Sequence, residues 1–170
     1  FLERSKSNNG SMLSELNHVS VLLVEDNKIN QRVAVHELTK WKTDISIAND
    51  AKEAFSILKE KKVDIILMDL AMPGMDGYEA ATYIRTQMPA PIKNIPIIAM
   101  TASALSDEKD KCFQIGMNDY ISKPFEPQVL HQKLSDFAPL NNTINIENKN
   151  HQVLKTKKMA SLTLLQEHAN

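Results

Sequence analysis

The run Val63-Asp64-Ile65-Ile66-Leu67-Met68-Asp69 decides the fold: its apolar stretch Ile65-Ile66-Leu67-Met68 closes on a carboxylate, and Leu70-Ala71-Met72-Pro73-Gly74-Met75-Asp76-Gly77 then turns the chain away. A continuous apolar run of this length, rather than an alternating one, reads as a strand buried on both faces, as in a parallel sheet. Asp69 then sits at the strand's carboxyl end, where open α/β sheets bind their ligands. A carboxylate in that place is costly to desolvate unless something cationic meets it. Asp69 is therefore a candidate site residue.

Val19-Ser20-Val21-Leu22-Leu23-Val24 is a second near-continuous apolar run, and it too ends in acids, Glu25 and Asp26. If the two strands are neighbours, their carboxylates converge on one crevice. At ~4 Å separation and an effective dielectric of ~20, each like-charge pair costs roughly 4 kcal/mol. Protonation relieves that repulsion, and so does a hard divalent cation. Mg²⁺ suits such a site because it keeps several waters and takes one or two carboxylates together with phosphate oxygens.

Two further runs end in groups of the complementary kind. Ile95-Pro96-Ile97-Ile98-Ala99-Met100 leads into the hydroxyl of Thr101, and Asp119-Tyr120-Ile121-Ser122 leads into Lys123-Pro124, a cation followed by a backbone constraint. Carboxylates to hold a metal, a carboxylate nucleophile, and a hydroxyl and an ammonium to clamp oxygens are the parts that phosphoryl transfer requires.

With these blocks in view, residues 19–138 resemble the receiver domain of two-component response regulators, and most closely the receivers attached to hybrid sensor histidine kinases. The resemblance is carried by Val24-Glu25-Asp26-Asn27 with Asn30, Met68-Asp69-Leu70-Ala71-Met72-Pro73-Gly74-Met75-Asp76-Gly77, Ala99-Met100-Thr101-Ala102 and Asp119-Tyr120-Ile121-Ser122-Lys123-Pro124-Phe125. One block alone is weak evidence; the four in order, at domain-like spacing, are specific. The resemblance implies a phosphoacceptor at Asp69 and Mg²⁺ held by Asp26, Asp69 and the Ala71 carbonyl, with Glu25 supporting. It also implies that Thr101 and Lys123 contact the phosphoryl oxygens and that Tyr120 is a switching aromatic. The implied partner is a histidine kinase or a histidine phosphotransfer domain.

The chain has 170 residues and a formal net charge of −1, enough for one domain with flanks and without the basic field that nucleic acid would attract. The single Cys112 excludes an internal disulfide and fits a reducing cytoplasm. No apolar stretch approaches the ~18 residues needed to span a bilayer, so neither membrane contact nor nucleic-acid binding is expected of this chain. It opens on Phe1 rather than Met, which suggests a piece of a longer protein.

Helical periodicity fills the gaps between the strands. Ala51, Ala54, Phe55 and Leu58 follow an Asp50…Glu53 capping pair, and Ile29, Val33, Ala34, Leu38 and Trp41 mark an earlier helix. Ala80, Ile84 and Met88 mark a helix after Gly77, and Leu130, Leu134 and Phe137 mark the last, with Pro127 in its first turn. The helix over 104–115 has the weakest pattern, since Ser106-Asp107-Glu108-Lys109-Asp110-Lys111 is almost wholly polar, and Gly116 ends it. Ile45 and Ile47 alternate with Ser46, as on an edge strand. The expected architecture is α/β: a flavodoxin-like, doubly wound (βα)5 sandwich whose five parallel strands run in the order 2-1-3-4-5 and place Asp26 beside Asp69 at the topological switch point. Residues 1–17 read as a polar linker, 18–138 as the domain, and 139–170 as a polar tail or linker with a candidate short helix from Met159 to Leu165.

Plainer readings compete at several positions. Asp76, the rival acceptor, precedes a helical pattern with Glu79 three residues on and is better explained as an N-cap. Tyr120 at a strand position is as readily core packing as a switch. The five histidines lack metal-ligand spacing, and His36 reads as solvated. Ala71 departs from the polar residue often found there in the family, which leaves a backbone ligand intact and puts the acyl-phosphate lifetime in question. An aspartyl-phosphate hydrolase would favour an acid two residues after its nucleophile, where this chain has Ala71. The same four blocks would also suit the receiver of a separate response regulator, whereas the intact Asp26, Asp69, Thr101 and Lys123 argue against a degenerate receiver serving only as a binding module.

Overall fold

In the computed structural model, residues 15–103 and 106–139 are described, and the expectations for the polar tail lie outside them. The chain divides after Ala138 into two units, of which the first carries all the elements below. These are β1 (Ser20–Val24), α1 (Lys28–Lys40), β2 (Asp44–Ala48), α2 (Ala51–Glu60), β3 (Ile65–Asp69), α3 (Gly77–Gln87), a 3-10 turn (Ile92–Asn94), β4 (Ile97–Thr101), α4 (Ser106–Gln114), β5 (Asp119–Ser122) and α5 (Pro127–Phe137).

All strand pairings are parallel, in the order β2-β1-β3-β4-β5. This is the flavodoxin-like order expected from the strand ends. Successive side chains along a strand point to opposite faces, and the inner strands supply both. Leu22, Val24, Ile66, Met68, Ile97 and Ala99 pack with Ala54 and Leu58 of α2, Ala80, Ala81 and Ile84 of α3, and Cys112 of α4. Val21, Leu23, Ile65, Leu67, Ile98 and Met100 pack instead with Ala34 and Leu38 of α1 and Leu130 and Leu134 of α5. Two cores explain why the inner runs lack alternation. β2 has one neighbour, and its Ile47 is exposed as befits an edge.

The first helix differs from its expected stripe. Ala34, Leu38 and Trp41 are buried, but Ile29 is 71% exposed and Val33 51% exposed, while polar Gln31 is inside. Hydrogen bonds account for the exchange: the Gln31 amide donates to the Glu25 carbonyl and to Asn49 Oδ1, so the face that begins the helix is polar. Leu16, assigned to the lead-in by the polar composition around it, is buried in the α1/α5 core, and its N–H donates to the Trp41 carbonyl at 2.6 Å. α4 does form, with Gly116 at φ +90° after it, but among the described residues it buries only Cys112.

Candidate functional site

The register lines up the four strand ends. Val24 pairs with Met68, Asp69 with Met100, and Thr101 with Ser122, so the residues that follow these pairs share one edge of the sheet. Asn27 caps α1 by accepting from the N–H groups of Ile29 and Asn30, which turns the chain directly after the two acids. On the β3 side the turn depends on Gly77. A Cβ there would lie 2.2 Å from the Asp69 carbonyl oxygen, so only glycine lets α3 begin this close to the strand end.

Glu25 is 1% exposed and Asp69 2% exposed. Glu25 Oε1 accepts from the Asn27 N–H and from Asn30 Nδ2, both at 3.1 Å, and its Oε2 accepts from Lys123 Nζ at 3.0 Å. Lys123 Nζ also lies 2.8 Å from Asp69 Oδ1, which accepts the Ala71 N–H at 3.2 Å. Burial works against the charge of Lys123, but its hydrogen bonds to Asp69 and Glu25 outweigh that and raise its pKa above the ordinary lysine value. It is therefore an ammonium at neutral pH.

Asp26, half-exposed, completes the acidic group: one carboxylate oxygen from each of Glu25, Asp26 and Asp69 lies within 4.8 Å of the others. One ammonium against three carboxylates leaves an excess of negative charge. All the donors are hard oxygens, and Asp26 opens the group to water, so the residues present fit Mg²⁺. The Ala71 side chain is exposed beside Asp69.

Thr101 is 6% exposed. Its Oγ1 lies 2.8 Å from Glu108 Oε2 and 2.8 Å from the Ser103 carbonyl, and it accepts the Ser103 N–H at 3.0 Å. Tyr120 is half-buried against the α2/α3/α4 core. Its ring meets Phe113 edge-on at 6.2 Å, and Lys109 and Lys133 lie 4.7 and 5.4 Å from its centroid. The structure thus brings Glu25, Asp26, Asp69 and Lys123 together, with Thr101 on the next strand end and Tyr120 on the core side of β5.

Asp76 stands apart as the N-cap of α3. Its Oδ1 accepts the Glu79 N–H at 2.8 Å, and Glu79 Oε2 accepts the Asp76 N–H at 3.1 Å. Burial pushes the Cys112 thiol up, which disfavours the reactive thiolate. Gln31 and Glu108 are contributors that sequence reasoning missed. Neither lies within a strand-end block, and Glu108 is one charge among several on a polar helix.

Residues 21–135 match the family model described as the response regulator receiver domain. The chain is 40% identical over 120 residues to the hybrid signal transduction histidine kinase I of Dictyostelium discoideum, covering 68% of this chain and 7% of that protein. Its fold is similar to the receiver domain of sensor histidine kinase PA1611 from Pseudomonas aeruginosa PAO1, solved with a magnesium ion in the active site cleft. That likeness has a TM-score of 0.64 and 38% identity, over 71% of this chain and 97% of that one. The Saccharomyces cerevisiae co-crystal structure of the histidine phosphotransfer protein Ypd1 with the receiver domain of Ssk1 matches at a TM-score of 0.63 and 35% identity, over 71% of this chain and 88% of that one. The chain spans 7% to 16% of the length of the first curated relatives it matches. A sheet in the order 2-1-3-4-5 with acids, hydroxyl and ammonium at its strand ends, together with these matches, shows that the chain belongs to the family of two-component receiver domains, similar to those of hybrid histidine kinases.

Proposed function

We propose that Asp69 accepts a phosphoryl group from a phosphohistidine, with Mg²⁺ bound by Asp26, Asp69 and the Ala71 carbonyl and with Glu25 in support. The observation that carries this reading is the buried Asp69 carboxylate 2.8 Å from Lys123, within the acidic group of Glu25 and Asp26. An Asp69 oxygen attacks phosphorus as the phosphorus–nitrogen bond breaks and its electron pair returns to the imidazole. Lys123 neutralises charge on the phosphoryl oxygens, and the Thr101 hydroxyl donates to one of them. Bound Mg²⁺ supplies further charge neutralisation there. Tyr120, packed against α4 and α5, is the aromatic that reports the change to that face.

The phosphodonor is a histidine kinase or histidine phosphotransfer domain. Supporting this, Ile29 and Val33 are exposed on the first turns of α1, and Val33 lines a cleft of about 80 Å³ shared with Glu25, Lys123 and Phe125. The parent is a hybrid sensor histidine kinase, a reading supported by the similarity to such proteins, and the setting is cytoplasmic. Among the described residues, no helix is long and apolar enough to cross a membrane.

The test is mass spectrometry after incubation with acetyl phosphate and Mg²⁺. Wild type gains one phosphoryl group and Asp69→Asn gains none, while Asp76→Asn behaves as wild type. Modification that persists in Asp69→Asn and vanishes in Asp76→Asn sinks the assignment.

A further inference from the structure

The Thr101 hydroxyl has one proton, and the structure already gives that proton a use. Its two acceptors within reach are Glu108 Oε2 and the Ser103 carbonyl, each at 2.8 Å. Of these, the carboxylate makes the stronger, charge-assisted bond. The Ser103 N–H occupies one lone pair of the same oxygen at 3.0 Å, which further fixes the direction of the hydroxyl. A hydroxyl committed in this way cannot also donate to a phosphoryl oxygen on Asp69.

Glu108 lies in the first turn of α4, a helix with few anchors. Cys112 is its one buried residue among those described, and Phe113, next to it, is 50% exposed. The Thr101–Glu108 bond is therefore a polar tie between the end of β4 and a helix that the core holds weakly. We infer that Glu108 is a positioning residue: it holds the Thr101 hydroxyl away from the acceptor until Asp69 is phosphorylated, and the two acceptors compete for one proton. The inference rests on Asp69 being the phosphoacceptor. A phosphoryl group has a second means of winning, because its negative charge repels the Glu108 carboxylate. When Thr101 changes partner, α4 loses a tie at its first turn. The acceptor and α4 are thereby linked through a single hydroxyl.

The experiment is a double-mutant cycle in the 170-residue chain, read as the affinity for beryllofluoride with Mg²⁺, a non-covalent mimic of the acyl phosphate. Removing Glu108 frees the hydroxyl, so Glu108→Ala binds the mimic about tenfold more tightly than wild type, the order a charge-assisted hydrogen bond carries. Glu108→Gln keeps an acceptor oxygen without the charge and falls between the two. With Thr101→Ala in the background, adding Glu108→Ala changes affinity by about twofold or less, since no proton is left to contest. In mimic-free Glu108→Ala, the Thr101 amide and methyl resonances move towards their mimic-bound positions. An equal gain with and without Thr101 overturns the inference and leaves Glu108 as a matter of α4 stability or general charge. So does a wild-type affinity in Glu108→Gln together with unmoved Thr101 resonances. A folded wild type that binds no mimic removes the acceptor reading itself, and the inference falls with it.

Discussion

At the ends of β1 and β3 the two buried acids are held by groups close to them in the chain. Glu25 accepts from Asn27 and Asn30, and Asp69 accepts from Ala71. At the end of β4, Thr101 has Ser103 nearby but also depends on Glu108, in a helix that buries Cys112 and little else. Lys123 spans the acid side from β5, bonded to both Glu25 and Asp69. The acid half is thus preorganised, with the Glu25 and Asp69 carboxylates held in place without any metal. The hydroxyl half is held by a partner it can exchange. A receiver needs both properties: a fixed place for chemistry and a movable contact to report it.

The largest effect expected on the acid half comes from Asp26→Ala. Outer-shell partners of metal sites cost about 10–100-fold in affinity when removed, so losing the direct ligand proposed at Asp26, from a site with few protein ligands, costs about a hundredfold or more. Calorimetric titration with Mg²⁺ measures it. Because Asp26 is half-exposed and Glu25 and Asp69 keep Lys123, the folded state itself should change little. Unchanged Mg²⁺ affinity in the variant would remove Asp26 from the site and leave the acid half without its solvent-facing ligand.

Lys123→Ala tests how the two halves are joined. It strips the cation from carboxylates that are 1% and 2% exposed. Removing one partner of a buried ion pair of this kind costs about 3–5 kcal/mol. A divalent cation offsets that loss, so Mg²⁺ should raise the melting temperature of the variant more than that of wild type. Phosphorylation by acetyl phosphate should slow even at saturating Mg²⁺, since the ammonium no longer meets the incoming charge. Equal Mg²⁺-dependent shifts in both proteins would mean that Lys123 and the metal do not share the same carboxylates.

The same contrast explains what could be read from the sequence. The inner strands were legible because burial on both faces forces continuous apolar runs, and each run ends directly on a chemical group. The four strand-end blocks therefore disclosed the fold and the acid cluster together. α1 was legible as a helix but not in its facing: Ile29 and Val33 look like core residues, and Gln31 does not. Only the positions of Asn49 and the Glu25 carbonyl, set by the folded sheet, draw the amide inward. Glu108 was hidden for a related reason. A hydrogen bond across seven residues, from a strand end to a polar helix, leaves no periodic trace, and its neighbours Asp107, Lys109 and Asp110 carry charges of equal standing.

The smallest effect expected is also the one that separates an acid serving the fold from an acid serving the site. Asp76 and Asp69 flank the same turn, and both precede or end an element at the site edge. Asp76, however, spends its carboxylate on the Glu79 N–H and receives the reciprocal bond from Glu79 to its own N–H. Asp76→Ala removes an N-cap, which costs about 1 kcal/mol. In a chain of this size that corresponds to a fall in melting temperature of about 2–4 °C. The phosphorylation rate should stay within about twofold of wild type, because the start of α3 is also set by the packing of Gly77 against the Asp69 carbonyl, which needs no side chain at 76. A folded Asp76→Ala protein that takes up no phosphoryl group would show that the cap also positions the acceptor. The acid half would then extend into α3 instead of ending at its strand.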